Sequence, residues 1–206
     1  MRNIRIGLAI GFGFTLASTG LLMTACTDRG TPVAPDGGAG AASVLAQSHD
    51  HHGSAEGLED ELAEVRRATA GFHLVEAAVD AGYELGYVNG SGVRIITGCV
   101  AHPTAGAMGY HYFNKELIDD LVVDPLKPEG LVYAPGPNGQ LQLAAVEYVV
   151  PGVASNPPGV SEPPTVFGSK MVILVPAVGF HTLHAWLWRS NPAGMFAHWN
   201  PDVACP

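Results

Sequence analysis

Leu58, Leu62, Val65, Thr69, Phe72, Val75 and Val79 recur at alternating spacings of four and three residues, which predicts one face of a helix. Glu59, Asp60, Glu61 and Glu64 crowd its first turns, where the helix dipole favours acids, and Gly82 is the expected stop. Beyond Gly82 the period changes. Short apolar runs over Val93–Cys99, Ala107–Asn114, Leu131–Ala134, Leu141–Val150, Met171–Val175 and Leu183–Arg189 are bounded by Gly, Pro and Asn and predict strands. Pro135-Gly-Pro-Asn-Gly139 between two of them is a hairpin signal, and Lys115–Leu121 is expected to add a helical turn. Pro151–Pro164 is Pro-rich, lacks periodicity and is expected as a surface loop. The pattern predicts an α+β fold: one N-terminal amphipathic helix packed on a mainly antiparallel β-sheet or a partly closed barrel.

Two further segments set the domain plan. Ile6–Met23 is nearly continuously apolar, and Arg2 and Arg5 precede it. Residues 27–57 are rich in Gly, Ala, Pro, Ser and Asp without a period and are expected to form a flexible tether. The chain therefore divides into a leader at 1–25, a tether at 26–56 and a single domain at 57–206. That domain has about 150 residues, enough for one core.

The leader has a basic start, an apolar middle and small residues before Cys26, the parts of a secretory signal. Leu22-Met23-Thr24-Ala25-Cys26 resembles the lipobox of bacterial lipoproteins, with Met23 where Leu is usual. The resemblance implies cleavage before Cys26, lipidation of its thiol, and an extracytoplasmic protein anchored to the cell envelope by its N-terminal lipid. An uncleaved membrane anchor is the competing reading, since the run is almost long enough to span. Four glycines within it and the otherwise unexplained Cys26 count against that.

Losing Arg2 and Arg5 with the leader moves the formal charge from −9 to −11. Such an acidic domain disfavours nucleic acid as a partner. Oligomeric state leaves no trace in the sequence. With Cys26 assigned to lipid, Cys99 and Cys205 remain as a pair in an oxidising compartment, so a disulfide is expected. Its long loop would restrict the unfolded chain by about 4–5 kcal/mol. It would also carry His198 and Trp199 towards Cys99 and His102, making the C-terminal segment a clasp.

Candidate chemistry lies in the strands. At period two, Glu147 shares a face with Leu141 and Leu143, His111 with Gly109 and Phe113, and His184 with Trp186 and Trp188. A carboxylate facing the core must be paired, metal-bound or protonated. His111, Glu147 and His184 together are two imidazoles and a carboxylate, a donor set suited to Fe(II), Zn or Mn, and otherwise an acid/base pair. The plainer alternative is two packed core histidines and a hydrogen-bonded glutamate.

Other patterns are weaker. The His-x-His signature of cupins is absent, and His181 and His184, three apart, fall on opposite strand faces. Cys99-Val-Ala-His102 with Met108 looks like the ligand loop of small blue-copper proteins, but a Cys99–Cys205 disulfide would remove the thiolate. Ser48-His49-Asp50-His51-His52 is a His-rich tract able to scavenge metal weakly. No Gly-x-Ser-x-Gly elbow, phosphate-cradling Gly loop or Cys-x-x-Cys-His site occurs.

Gly98-Cys99-Val100, Gly106-Ala-Met-Gly-Tyr-His111-Tyr-Phe-Asn114, Ala145-Val-Glu147-Tyr148, Leu183-His184-Ala-Trp186, and Asn191-Pro with Trp199-Asn-Pro resemble a group of secreted bacterial proteins without an assigned activity. The resemblance covers most of 57–205 and implies one extracytoplasmic domain, with no chemistry to transfer. The functional expectation is an extracytoplasmic lipoprotein whose domain binds a metal ion or small molecule in an aromatic-lined pocket. The alternative is a non-enzymatic envelope interaction or structural module.

Overall fold

The computed structural model describes residues 55–206. The leader, Cys26, the tether and the histidines at 49, 51 and 52 lie outside the described residues. Among the described residues no helix is long and apolar enough to cross a membrane.

The helical pattern folds as three pieces. Helix α1 spans Ala55–Thr69, a 3-10 turn covers Ala70–His73, and α2 spans Val75–Asp80. The expected single helix is interrupted at Ala70-Gly71, where a residue of poor helix propensity meets a tertiary demand. Tyr133 Oη donates to the Phe72 carbonyl at 2.6 Å and pins the turn to the sheet. Helix α2 ends just before Gly82, whose φ of +90° suits glycine, as the sequence implies.

The strands are β1 (Tyr83–Leu85), β2 (Tyr87–Val88), β3 (Arg94–Ile95), β4 (Val100–His102), β5 (Gly106–Asn114), β6 (Gly130–Pro135), β7 (Leu141–Pro151), β8 (Thr165–Val166), β9 (Ser169–Lys170), β10 (Val172–Ile173) and β11 (Phe180–Ala185), with α3 at Lys115–Asp119 after β5. Seven of them form one antiparallel sheet in the order β1-β5-β6-β7-β11-β10, with β4 also on β5. The sheet is open, so the barrel alternative is set aside. The β6–β7 hairpin closes through the expected Gly-Pro-Asn-Gly turn, Gly136 N–H donating to the Gln140 carbonyl. The Pro-rich segment after β7 carries only an isolated bridge between Gly152 and Val160.

Both faces of the central strands are covered. On one, Leu62 and Val65 of α1 and Ala78 of α2 pack with Leu131, Tyr133, Val146, Tyr148 and Val150. The opposite face carries Val132, Ala145 and Val149, packed with Trp186 and Val203 near one end and with Phe113, Ile118 and Phe180 near the other.

Parity along β7 differs from the simple alternation. The β6–β7 register passes from Val132↔Ala145 to Tyr133↔Leu143, leaving Ala144 as an extra residue. This bulge inverts the alternation. Leu141 and Leu143 join the helix-side core with Val146 and Tyr148. Glu147 lies on the other face, against the expectation that all three point together.

The same bulge redirects the chain after β11. The strand ends at Ala185, and the N–H groups of Trp188 and Arg189 both donate to the Ala144 carbonyl at 3.1 Å. Trp188 crosses to the helix side, where its ring centroid lies 4.3 Å from that of His73. The expected extension of the strand to Arg189, with Trp188 beside His184, is therefore corrected.

Candidate metal centre

Glu147, His184 and His111 meet on the face away from α1. Across the sheet, Phe113, Gly130, Glu147 and His184 form one continuous row of cross-strand partners. His111 stands one step along the same face, in the row His111–Val132–Ala145. Gly130 lets Phe113 and Glu147 approach each other within the first of these rows. A Cβ there would lie 3.1 Å from both Glu147 Cβ and the Phe113 ring.

The donor atoms face one another. His111 Nε2 and His184 Nε2 are 3.4 Å apart. Glu147 Oε2 lies 3.6 Å from His111 Nε2, and Glu147 Oε1 lies 3.7 Å from His184 Nε2. All three residues are buried, at 3%, 5% and 0% exposure for His111, Glu147 and His184. One ligand atom from each falls within 4.8 Å of the others. Three donors about 2.1 Å from one ion at tetrahedral angles stand about 3.4 Å apart; the two imidazole nitrogens meet that spacing, while the carboxylate faces each of them with a different oxygen.

Burial governs the charge state. It pushes the Glu147 carboxyl up to about 8, helped by the nearby Glu129 carboxyl. It pulls His111 down to about 4, against a weaker opposite influence of the Gly109 backbone. His184 is lowered well below the usual imidazole value by burial first, then by His111 and His198. Without an ion the cluster is neutral near pH 7, with the proton on Glu147. Glu147 Oε2 and both imidazole Nδ1 atoms are buried without a hydrogen-bond partner.

The surroundings match the sequence in part. Trp186 stacks on His184 with ring centroids 6.3 Å apart, and Trp186 Nε1 donates to the Ala197 carbonyl at 2.7 Å. Cys99 and Cys205 form the expected disulfide. It secures the C-terminal clasp: Ala107 and Asn200 exchange backbone hydrogen bonds, Trp199 lies 5.2 Å from the His102 ring, and His198 lies 6.0 Å from the His184 ring. With Cys99 oxidised and His102 exposed, the copper-loop alternative has no thiolate ligand.

Beside the triad is a cavity of about 110 Å³, bounded by His111 and Glu147 but not by His184. Its aromatic walls are Phe113 and Phe180 rather than the tryptophans. Met108 also lines it, because a register shift against β4 leaves Met108 as an extra residue and turns it to the His111 side. Strand periodicity could not place it there.

Glu129 is the functional-looking residue that the sequence did not single out. It is buried, its Oε2 accepts from the Val149 N–H at 2.9 Å, and its Oε1 has no partner. Desolvation pushes its carboxyl up to about 8. An acid between Pro128 and a strand glycine reads as an ordinary turn residue, and no local signal distinguishes it.

No family model matches the chain, and neither a curated protein nor a solved structure was found that matches it.

Proposed function

We propose that this protein is an extracytoplasmic lipoprotein, anchored through Cys26, whose domain binds one divalent transition metal ion through His111, Glu147 and His184. The observation that carries this is the convergence of three buried donors from β5, β7 and β11 at 3.4–3.7 Å, with Glu147 Oε2 lacking any other partner. Two imidazoles and one carboxylate suit Fe(II), Zn or Mn. Three protein donors leave coordination positions open, the arrangement of catalytic rather than closed structural sites. An ion held there would act as a Lewis acid or redox centre next to the cavity. His111, Glu147 and His184 would hold it, and the clasp over His184 would restrict water.

The test is thermal unfolding with and without added Fe(II), Zn(II) and Mn(II). Wild type should gain melting temperature with one of them, since an ion that binds only the native state stabilises it. His111→Ala, Glu147→Gln and His184→Ala should lose that gain. Equal gains in all four proteins would remove the triad as the site. Mass spectrometry of the membrane-associated protein, against Cys26→Ala, tests the lipid.

A second reading has its own observation. The 3.4 Å His111–His184 contact is an adequate hydrogen bond between neutral rings. The cluster would then be a buried polar core in a non-enzymatic envelope module. In that case the three substitutions would cost stability, about 1–3 kcal/mol each, with no effect of metal.

A further inference from the structure

His111 and Glu147 form one wall of the 110 Å³ cavity; nearly all of the remainder is apolar. Met108, Phe113 and Phe180 are buried and close its inner part. Leu174, Val175 and Val178 form an outer lip. That lip is a tight turn, in which the Val178 and Gly179 N–H groups both donate to the Val175 carbonyl. Val175 is 47% exposed, and Val172 and Ile173 just before it are 43% and 40% exposed. The outer wall is thus apolar and in contact with solvent.

One polar residue away from the triad borders this lining. Thr182 is 8% exposed, and its Oγ1, itself buried just behind the wall, has no hydrogen-bond partner. A buried hydroxyl left unpaired is costly, so a ligand that satisfies it gains over one that does not. The apolar walls disfavour a charged ligand. Volume sets the size: a dry cavity of about 150 Å³ accepts benzene, so this smaller one, open to solvent at its lip, takes a few carbons or one edge of a single ring, not a sugar or a long acyl chain.

We infer that the cavity binds a small, largely apolar organic molecule with one oxygen-bearing hydrogen-bonding group, such as an alcohol, phenol or ketone, which bonds Thr182 Oγ1 beside His111 and Glu147. The inference deepens the metal reading and rests on it for the ligand's place next to an ion. Binding itself needs only the cavity.

The probes are benzene and phenol, titrated by NMR into the full chain with the methyl groups of methionine and valine labelled, both metal-free and metal-loaded. Saturable shifts of the Met108 and Val178 methyls are expected, with phenol binding at least threefold more tightly than benzene. Thr182→Val should abolish that preference and retain benzene binding. Val178→Trp, and independently Val175→Trp, should weaken both probes at least tenfold. No saturable shift at Met108, or a phenol preference that survives Thr182→Val, overturns the inference. The two readings fail separately: a metal-free protein that binds phenol in this way keeps the pocket and loses the ion, and a metal-loaded protein that binds neither probe does the reverse.

Discussion

Glu147 stands directly opposite His184 across the β7–β11 ladder, with its Oε1 3.7 Å from His184 Nε2, and both side chains are buried. A direct cross-strand pair of this kind holds two metal-ligand types in fixed register. It also places the carboxyl where water does not stabilise its charge, so a metal ion bound there would compete with the proton on Glu147 for the same oxygens.

That competition predicts a pH profile for metal binding. Glu147 is pushed up to about 8 and His111 pulled down to about 4. At pH 7 an incoming divalent ion displaces the proton of Glu147 but none from His111. Calorimetry in buffers of differing ionisation enthalpy should show close to one proton released per ion. Affinity should rise about tenfold per pH unit up to about pH 8 and then level off. Binding without proton release would place the ion elsewhere.

Stability of the metal-free protein should fall as pH rises from about 6.5 to 8. Glu129 and Glu147 have folded values near 8 against 4.5 ordinarily, so the stability they contribute is lost as pH climbs from about 4.5 to about 8. His111, lowered from 6.5 to about 4, and His184, lowered likewise, gain stability with rising pH below about 6.5 and offset the loss there, which leaves the net fall above 6.5. Each raised carboxyl contributes a slope of about 1.4 kcal/mol per pH unit at most. Glu129→Gln keeps an acceptor for the Val149 N–H and should flatten the profile in urea-unfolding measurements.

Gly130→Ala tests the crowding that shapes the centre. Its Cβ would press on Glu147 Cβ and the Phe113 ring at 3.1 Å. Overpacking of this kind costs about 1–3 kcal/mol. Metal affinity should fall with it, because Glu147 is pushed from its place beside His111 and His184. Competition against a metallochromic chelator reads the loss.

Reduction of Cys99–Cys205 releases a loop closed over a sequence separation of 106. The chain-entropy cost of about 4–5 kcal/mol corresponds to a melting temperature lower by about 10–20 °C for a domain this size. Calorimetry of Cys99→Ser with Cys205→Ser, compared with the oxidised parent, checks it.

Some of this was legible in the residues. Strand signals located β5, β6 and β7 closely, because each is an apolar run with flanking turn residues, and α3 falls within the helical turn expected over Lys115–Leu121. Compartment and cysteine count pointed to the disulfide. His111, Glu147 and His184 stand out in the sequence as polar residues within apolar strands, and the structure brings them together, but Glu147 faces the opposite way from the one its period predicts. Period two placed it with Leu141 and Leu143, and the bulge at Ala144 reversed that face. A bulge among Leu-Ala-Ala-Val leaves no mark in hydrophobicity, since every residue there is apolar. The short strands β1, β2 and β4 and the break at Gly71 were missed for a related reason: long-range pairing and the Tyr133–Phe72 hydrogen bond decide them, not local pattern.

The most direct measurement is elemental analysis of the full chain, purified without a His tag and with His49, His51 and His52 replaced by alanine. The account predicts close to one equivalent of Fe, Zn or Mn, retained on dialysis and absent from His111→Ala and His184→Ala proteins that still fold. A folded, disulfide-bonded protein that carries no transition metal and takes none up would contradict it.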